Sequence, residues 1–170
     1  MSELPEGTVT LLFADVEGST RHLLRLGDRY AEALQLQNAV LQDAVQRFNG
    51  RLVDTRGDAS FAAFGAAQDA IQAAIAAQRS LAVQPWPDGE PFRVRIGLHT
   101  GEPIKEADDF FGQAVILAAR IAAQAGGGEI LASSLIRELA ESSGEFTFGE
   151  ARQVTLKGLR GPRAVSPVTW

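Results

Sequence analysis

The sequence predicts an α+β fold, a ferredoxin-like sandwich with helices on one face of a central, mostly antiparallel sheet. Segments of alternating or continuous apolar character, typical of strands, take turns with segments whose apolar residues recur every three or four positions, typical of helices. The predicted order is β-α-β-β-α-β-α-β-α-β. The second and third strands are close enough in sequence to form a hairpin, which favours antiparallel pairing.

The first half of the chain predicts a strand, a long helix and a hairpin. Residues 8–14, TVTLLFA, are apolar enough for a strand buried on both faces. A helical pattern opens at residues 19–20 and continues to Phe48, and Gly50 is the residue type that commonly ends a helix. RLVDT and ASFAAF then form two strands around the turn RGD, where Gly57 provides the backbone freedom that such a turn requires.

The second half predicts three further helices and several strands. A helix is expected over residues 67–83, followed by the strand FRVRIGLH, whose apolar residues alternate with arginines and a histidine. The segment DDFFG leads into a helix, QAVILAARIAAQ, that the glycines at 126–128 end. EILAS is a strand, SLIRELAES a short helix, and FTFGEARQVTLKG with RAVSPVTW supply the last strands. We expect a single domain over residues 1–170.

Composition excludes several classes of function. The 170 residues contain no cysteine, which rules out disulfides, thiol catalysis and thiolate metal sites. The formal net charge of −5 disfavours nucleic acid or an anionic membrane as a partner of the whole chain. No apolar run reaches the roughly 20 residues of a membrane span, and no export signal is visible. We therefore expect a cytoplasmic protein whose metals, if any, are held by oxygen or imidazole.

Two aspartates form a candidate metal site. Asp15 follows the first strand and Asp58 lies in the hairpin turn, so neighbouring strands would bring both to one end of the sheet. Hard carboxylate ligands favour Mg²⁺ or Mn²⁺ over zinc. Between them, Gly18, Ser19 and Thr20 could present backbone N–H groups to an anion at a helix start. The alternative stays open here, because aspartates are also common in turns simply for satisfying backbone donors.

Five ordered motifs give the chain a family resemblance. FADVEGST, TRGDASFAAF, RIGLHTGEP, FFGQAVILAARIA and TLKG occur in the order and spacing of the catalytic domain of class III adenylate and guanylate cyclases. The resemblance covers nearly all of the chain and is closest to the bacterial adenylate cyclase-like branch. It implies the class III nucleotide cyclase fold and conversion of ATP to 3′,5′-cyclic AMP and pyrophosphate. It also implies two divalent cations, Mg²⁺ or Mn²⁺, as cofactors.

The resemblance assigns roles to individual positions. Asp15 and Asp58 match the two metal-binding aspartates of the family, with the carbonyl of Val16 as a third oxygen ligand. Arg120 matches the arginine that stabilises charge developing at the α-phosphate. Lys157 matches a residue that contacts the terminal phosphates.

The resemblance also implies the substrate base and the oligomeric state. Asp109 falls where the family places an aspartate that accepts a hydrogen bond from the adenine amino group, which favours ATP. In such enzymes the metal aspartates come from one chain, whereas the base-reading aspartate and the arginine equivalent to Arg120 come from the other. One copy of each motif therefore implies a head-to-tail homodimer and an inactive monomer.

Two positions depart from the family pattern. Asp54 stands where adenylate cyclases usually carry a lysine that donates to adenine N1, and a carboxylate there suits the N1–H and N2–H donors of guanine better. Ile116 stands where an asparagine normally orients the ribose, which predicts slow turnover. These departures leave three alternatives to a robust adenylate cyclase: a GTP-using enzyme, an enzyme that does not discriminate, or a degenerate nucleotide-binding domain.

Overall fold

Nine strands and five α-helices alternate along residues 3–170, the part of the chain that the computed structural model describes. In chain order they are β1 (Val9–Val16), α1 (Ser19–Leu26), α2 (Tyr30–Arg47), β2 (Arg51–Arg56), β3 (Ala59–Phe64), α3 (Ala67–Ala82), β4 (Val94–Gly101), β5 (Ile104–Glu106), β6 (Asp109–Phe111), α4 (Gln113–Gln124), β7 (Ile130–Ser133), α5 (Ser134–Glu141), β8 (Arg152–Thr155) and β9 (Pro162–Pro167). Seven strands form one sheet in the order β2-β3-β1-β4-β7-β9-β8. Neighbours pair antiparallel except β4 and β7, which are parallel. The predicted fold class is confirmed.

Helices cover both faces of the sheet, so the prediction of one helical face was wrong. Alternate residues of β1, among them Leu12, belong to a core shared with α2, α3 and α5. The intervening Leu11 packs instead in a cluster with Ala118 of α4, on the opposite face. Gly97 of β4 permits this second layer, because a Cβ at that position would collide with the backbone of Ala122 on α4. Because arginines and a histidine alternate with the apolar residues of β4, the sequence pattern did not indicate that a helix also covers the second face of the sheet.

The long helix predicted between residues 19 and 48 is two helices. A single 3-10 turn, Gly27–Arg29, separates α1 from α2. Gly27 has φ +54° and ψ −122°, a conformation with positive φ that glycine adopts without steric cost. The interruption lets α1 bury His22 and Leu26 while α2 follows its own direction along the core.

The segment before α4 is a small hairpin that the sequence pattern did not reveal. Strands β5 and β6 pair antiparallel, with Ile104 opposite Phe111 and Glu106 opposite Asp109. Three-residue strands are too short to show a period of two. The hairpin projects Asp109 from the surface, separate from the main sheet.

The sheet brings the end of β1 next to the start of β3. Because these strands run antiparallel, with Ala14 opposite Ser60, the last residues of β1 lie beside the β2–β3 turn. On the other side of β1, Asp15 lies opposite Arg95 of β4.

Within residues 3–170, no helix has the length and apolar character needed to cross a bilayer.

Candidate functional site

The two aspartates predicted to bind metal lie at the same end of the sheet. Asp15 is the penultimate residue of β1, and Asp58 occupies the turn between β2 and β3. The backbone N–H of Val16 donates to Asp58 Oδ2 at 3.1 Å, and the Asp58 carbonyl accepts from Gln37 Nε2 at 3.3 Å. Strand pairing and these two hydrogen bonds thus hold the Asp58 carboxylate next to the end of β1.

An arginine that the sequence analysis did not single out contacts Asp15. Arg95 Nε and Nη2 donate to the two carboxylate oxygens of Asp15 at 2.6 and 2.7 Å, a bidentate pair. These hydrogen bonds raise the pKa of Arg95, which therefore stays charged. Arg95 lies within the motif RIGLHTGEP, but its alternation with buried residues gave it the pattern of a solvent-facing strand residue. The β1–β4 register is the signal that identifies it.

The charge balance at this end of the sheet suits a divalent cation. Besides Asp15, the carboxylates of Glu17 and Asp58 contribute to the field that favours the cationic form of Arg95. Of these carboxylates, Asp15 is the one that contacts the guanidinium of Arg95. The described residues contain no cluster of three or more His, Cys, Asp or Glu side chains placed to hold a metal by themselves. An ion held by Asp15 and Asp58 would complete its coordination with backbone, water or ligand oxygens, as Mg²⁺ commonly does.

The start of α1 is open to an anion. Gly18 precedes the helix in a left-handed conformation, with φ +68°. Within residues 3–170, no side chain caps this helix start, and its first turn contains no acidic residue. The amides of Ser19 and Thr20 are among the backbone donors that a helix leaves unpaired at its beginning. This helix start directly follows β1 and its Asp15.

Arg120 and Lys157 lie together, away from the carboxylates. Arg120 of α4 donates from Nε to the carbonyl oxygen of Lys157 at 3.2 Å, and the Lys157 side chain is exposed in the β8–β9 loop. Ile116, one helical turn before Arg120, is 49% exposed. In the described part of the chain, no hydrogen bond or ion pair joins Arg120 or Lys157 to Asp15 or Asp58.

Asp54 is ion-paired with a neighbour on its own strand. Its Oδ2 accepts from Arg56 Nε at 2.8 Å, on the exposed side of β2. The rings of Phe13 and Phe61 stack with their centroids 4.4 Å apart. These residues, with Ala59 and Ser60, line an open surface cavity of about 200 Å³. The cavity combines a flat aromatic wall with one carboxylate and one guanidinium.

Asp109 is exposed on the β5–β6 hairpin. The backbone N–H of Phe110 donates to Asp109 Oδ1 at 2.8 Å, which leaves the other carboxylate oxygen available to a ligand. The side chain of the neighbouring Asp108 is 88% exposed, and its Oδ1 lies 3.8 Å from Arg51 Nη2. The side chains predicted to contact substrate thus lie at separate places on the chain: Asp15 with Asp58, Asp54 beside the stacked phenylalanines, Asp109 on the β5–β6 hairpin, and Arg120 with Lys157.

Comparison with known sequences identifies the family. A family model described as the adenylate and guanylate cyclase catalytic domain matches residues 1–166. An adenylate cyclase of Mycosarcoma maydis is 33% identical over 168 residues; the match covers 84% of this chain and 7% of the fungal protein. The chain therefore spans a small fraction of the length of that relative.

Solved structures share the fold. Adenylate cyclases from Trypanosoma brucei, determined in their monomeric state, superpose with a TM-score of 0.90 at 22% identity, covering 98% of this chain and 91% of theirs. An adenylate/guanylate cyclase/hydrolase from Silicibacter pomeroyi superposes with a TM-score of 0.84 at 26% identity, covering 95% of each chain. With the family model matching nearly the whole sequence, the chain belongs to the adenylate and guanylate cyclase catalytic domain family.

Proposed function

We propose that the protein is a metal-dependent nucleotide cyclase that converts ATP to 3′,5′-cyclic AMP and pyrophosphate at a homodimer interface. The observation that carries this proposal is the placement of Asp15 and Asp58 together, beside the uncapped start of α1. In the reaction the ribose 3′-oxygen bonds to the α-phosphorus, the bond to pyrophosphate breaks, and the hydroxyl proton passes to solvent. Carboxylates for a cation and a helix start for phosphate meet this need.

Asp15, Asp58 and the carbonyl of Val16 are the groups that would hold Mg²⁺ or Mn²⁺, two ions in the family pattern. Bound there, such cations supply positive charge to the triphosphate and acidity to the attacking hydroxyl. Both carboxylate oxygens of Asp15 accept hydrogen bonds from Arg95, so binding a cation through Asp15 would compete with this pair. Because Arg95 stays charged, its guanidinium, once displaced, is available to the phosphate oxygens at the same sheet end.

Arg120 and Lys157 supply the remaining positive charge. We assign Arg120 to the charge that develops around the α-phosphate and Lys157 to the terminal phosphates. The hydrogen bond between Arg120 and the Lys157 carbonyl supports a common target for both side chains. Since neither contacts Asp15 or Asp58 within the described residues, a second copy of the chain would bring them to the carboxylates.

Exposed apolar side chains support a dimer interface on this part of the surface. Ile104 and Phe111 on the β5–β6 hairpin are 67% and 47% exposed, and Ile116 on α4 is 49% exposed. The same two elements carry Asp109 and Arg120. Association through this surface would cover the apolar side chains and place both polar groups at the boundary between protomers.

Asp54 and Arg56 together reduce the discrimination between adenine and guanine. The carboxylate of Asp54 repels adenine N1 but accepts from guanine N1–H and N2–H, whereas Asp109 accepts from the adenine amino group and opposes guanine O6. The paired guanidinium of Arg56 adds donors that either adenine N1 or guanine O6 can accept. The stacked rings of Phe13 and Phe61 offer a surface to any purine. We therefore infer an enzyme with a modest preference for ATP.

Replacing Asp54 with lysine is expected to sharpen that preference. The change removes a group that suits guanine and adds a donor for adenine N1, so the ATP-to-GTP ratio of kcat/KM should rise at least about tenfold, the effect of one charged hydrogen bond. The measurement is steady-state kinetics with both nucleotides. Thr55→Lys, which adds a lysine at the adjacent exposed position and leaves Asp54 in place, is the control. An equal ratio in all three proteins would show that residue 54 does not read the base.

Replacing Ile116 with asparagine is expected to raise kcat. An asparagine at this exposed position of α4 restores a polar contact to the ribose, and one contact of this kind commonly changes kcat about 100-fold. Leu139→Asn is the matched control, since Leu139 is 48% exposed on another helix and Ile116 is 49% exposed. Single-turnover rates under saturating nucleotide give the comparison, and an unchanged rate in Ile116→Asn contradicts the assignment.

The proposed function is tested by incubating the folded protein with Mn²⁺ and either ATP or GTP and separating the products. We expect cyclic AMP in excess of cyclic GTP, with one pyrophosphate per cyclic nucleotide. Predominant cyclic GTP would instead assign a guanylate cyclase. Nucleotide binding without either product would identify a degenerate cyclase-like domain, the second candidate, which the apolar Ile116 favours.

A further inference from the structure

We propose that the protein has a second small-molecule site, a pocket for an organic anion with a short apolar body, on the α4 face of the sheet. The pocket, called here the arginine cavity, has a volume of about 400 Å³ and lies between α4, the β7–α5 junction and β9. It is lined by His99, Leu117, Ile121, Ser133, Ser134, Leu135, Arg160, Pro162, Arg163, Ala164 and Val165. None of the side chains assigned above to cations, phosphates or base belongs to it.

Arg163 supplies an unpaired positive charge to the cavity. Its Nε is fully buried and has no hydrogen-bond partner among residues 3–170. A buried guanidinium nitrogen without a partner loses its hydration without compensation, so the site is incomplete as it stands. The neighbouring Glu102, which lines an adjoining cavity, accepts instead from Thr8 Oγ1 at 3.2 Å. Nε itself is out of contact with solvent, so an incoming carboxylate or phosphate would compensate the guanidinium charge through the part of the half-buried Arg163 side chain that remains exposed.

The rest of the polar lining is also suited to an anion. The lining of the arginine cavity contains no aspartate or glutamate, and Arg160 adds a second guanidinium. Glu102 lies on the adjoining cavity, which shares His99, Leu117 and Arg163 with this one. His99 Nδ1 and Ser133 Oγ are 2.8 Å apart, and Ser133 Oγ also accepts from the Ile136 backbone N–H at 3.4 Å. Ser133 Oγ has a second lone pair, so either partner can donate in its hydrogen bond to His99 Nδ1; the tautomer in which the serine hydroxyl donates suits an anion. That tautomer places the proton of the neutral ring on Nε2, which becomes a donor.

Apolar side chains form the opposite wall. Leu117 and Ile121 of α4 and Val165 of β9 belong to one buried cluster at the edge of the cavity. Leu135, which is 40% exposed at the rim, is the apolar side chain of the lining that water reaches; a short alkyl chain attached to a carboxylate would cover it, whereas a bare inorganic anion would not. The combination of guanidinium and aliphatic wall selects an amphipathic organic acid.

The arginine cavity lies next to both elements that carry the proposed phosphate-binding groups, and its role as an effector site rests on the proposed function. Leu117 and Ile121 flank Arg120 on α4, and Arg160 belongs to the same loop as Lys157. An occupant would connect the two elements that carry the proposed phosphate-binding groups. The site is therefore placed to act as an effector site for the cyclase.

Calorimetric titration with hexanoate, butanoate and inorganic phosphate tests the site without nucleotide or divalent cation. We expect one hexanoate per chain, bound roughly tenfold more tightly than butanoate, since each buried methylene contributes up to about fourfold. Arg163→Ala should weaken hexanoate binding about tenfold or more, whereas Arg79→Ala, which removes an exposed arginine from α3, should not. Leu135→Glu, a change on the exposed rim, should also weaken binding by repulsion.

Several results would overturn the proposal. These are the absence of hexanoate binding at millimolar concentration, binding unchanged in both Arg163→Ala and Leu135→Glu, and phosphate or butanoate binding as tightly as hexanoate. Loss of binding in Lys157→Ala but not in Arg163→Ala would place the anion among the proposed nucleotide contacts instead. Because no turnover is measured, a failed cyclase assay leaves these results interpretable.

Discussion

Replacing Asp58 with asparagine is expected to lower kcat by about 1000-fold or more while leaving the fold intact. The amide keeps the size of the carboxylate but removes one of the two negative side chains proposed to hold the cations. Charge stabilisation by such ions contributes several kcal/mol to the transition state, and each 1.36 kcal/mol corresponds to a factor of ten in rate. The measurement is kcat with Mn²⁺ and ATP, alongside thermal unfolding.

The control for this variant is Asp43→Asn. Asp43 is exposed on α2 and pairs with Arg47 one turn later, so the substitution removes the same charge far from the sheet end. Its activity should match that of the unmodified protein. If Asp58→Asn retained full activity at saturating Mn²⁺, Asp58 would not be a cation ligand, and its role would be limited to accepting the hydrogen bond from Val16.

His99 is expected to make the free energy of unfolding fall as the pH is lowered from about 6.5 to about 4. Burial, followed by the nearby charge of Arg163, lowers the pKa of His99 to about 4. In the unfolded chain the pKa returns to about 6.5. Between these values the unfolded state binds a proton that the folded state does not, so acid favours unfolding. The loss amounts to about 2 kcal/mol at pH 4.5 after allowance for partial exposure.

The measurement is urea unfolding at pH 7 and pH 4.5 for the unmodified protein and for His99→Asn. Asparagine cannot be protonated in this range, so the fall in unfolding free energy between the two pH values should be smaller in the variant by about 2 kcal/mol. The other histidine, the buried His22, is present in both proteins and cancels in the comparison. Identical pH dependence in the two proteins would show that His99 titrates normally in the fold.

The placement of Asp15 and Asp58 at the same end of the sheet could be predicted from the sequence, because local patterns determine it. An apolar strand followed by an aspartate, and a hairpin whose glycine turn carries another, leave few ways to arrange three adjacent strands. The structure brings these residues together at the predicted sheet end. The end of α4 at Gln124, before the three glycines, is likewise a local property.

Features that depend on tertiary contacts could not be predicted in this way. Arg95 has the alternation of a solvent-facing strand residue, and only the β1–β4 register reveals its bidentate pair with Asp15. The second helical layer depends on Gly97, whose missing side chain admits α4.

Mixing two inactive variants tests most directly the central claim, that two copies of the chain share each active site. Asp58→Asn should eliminate the carboxylate side of a site and Arg120→Ala the opposite side. In an equimolar mixture about half of the dimers contain one of each variant, and each of these has one intact site. The mixture should therefore recover about a quarter of the activity of the unmodified protein. A mixture as inactive as its separate components, with exchange of subunits verified, would contradict the shared site.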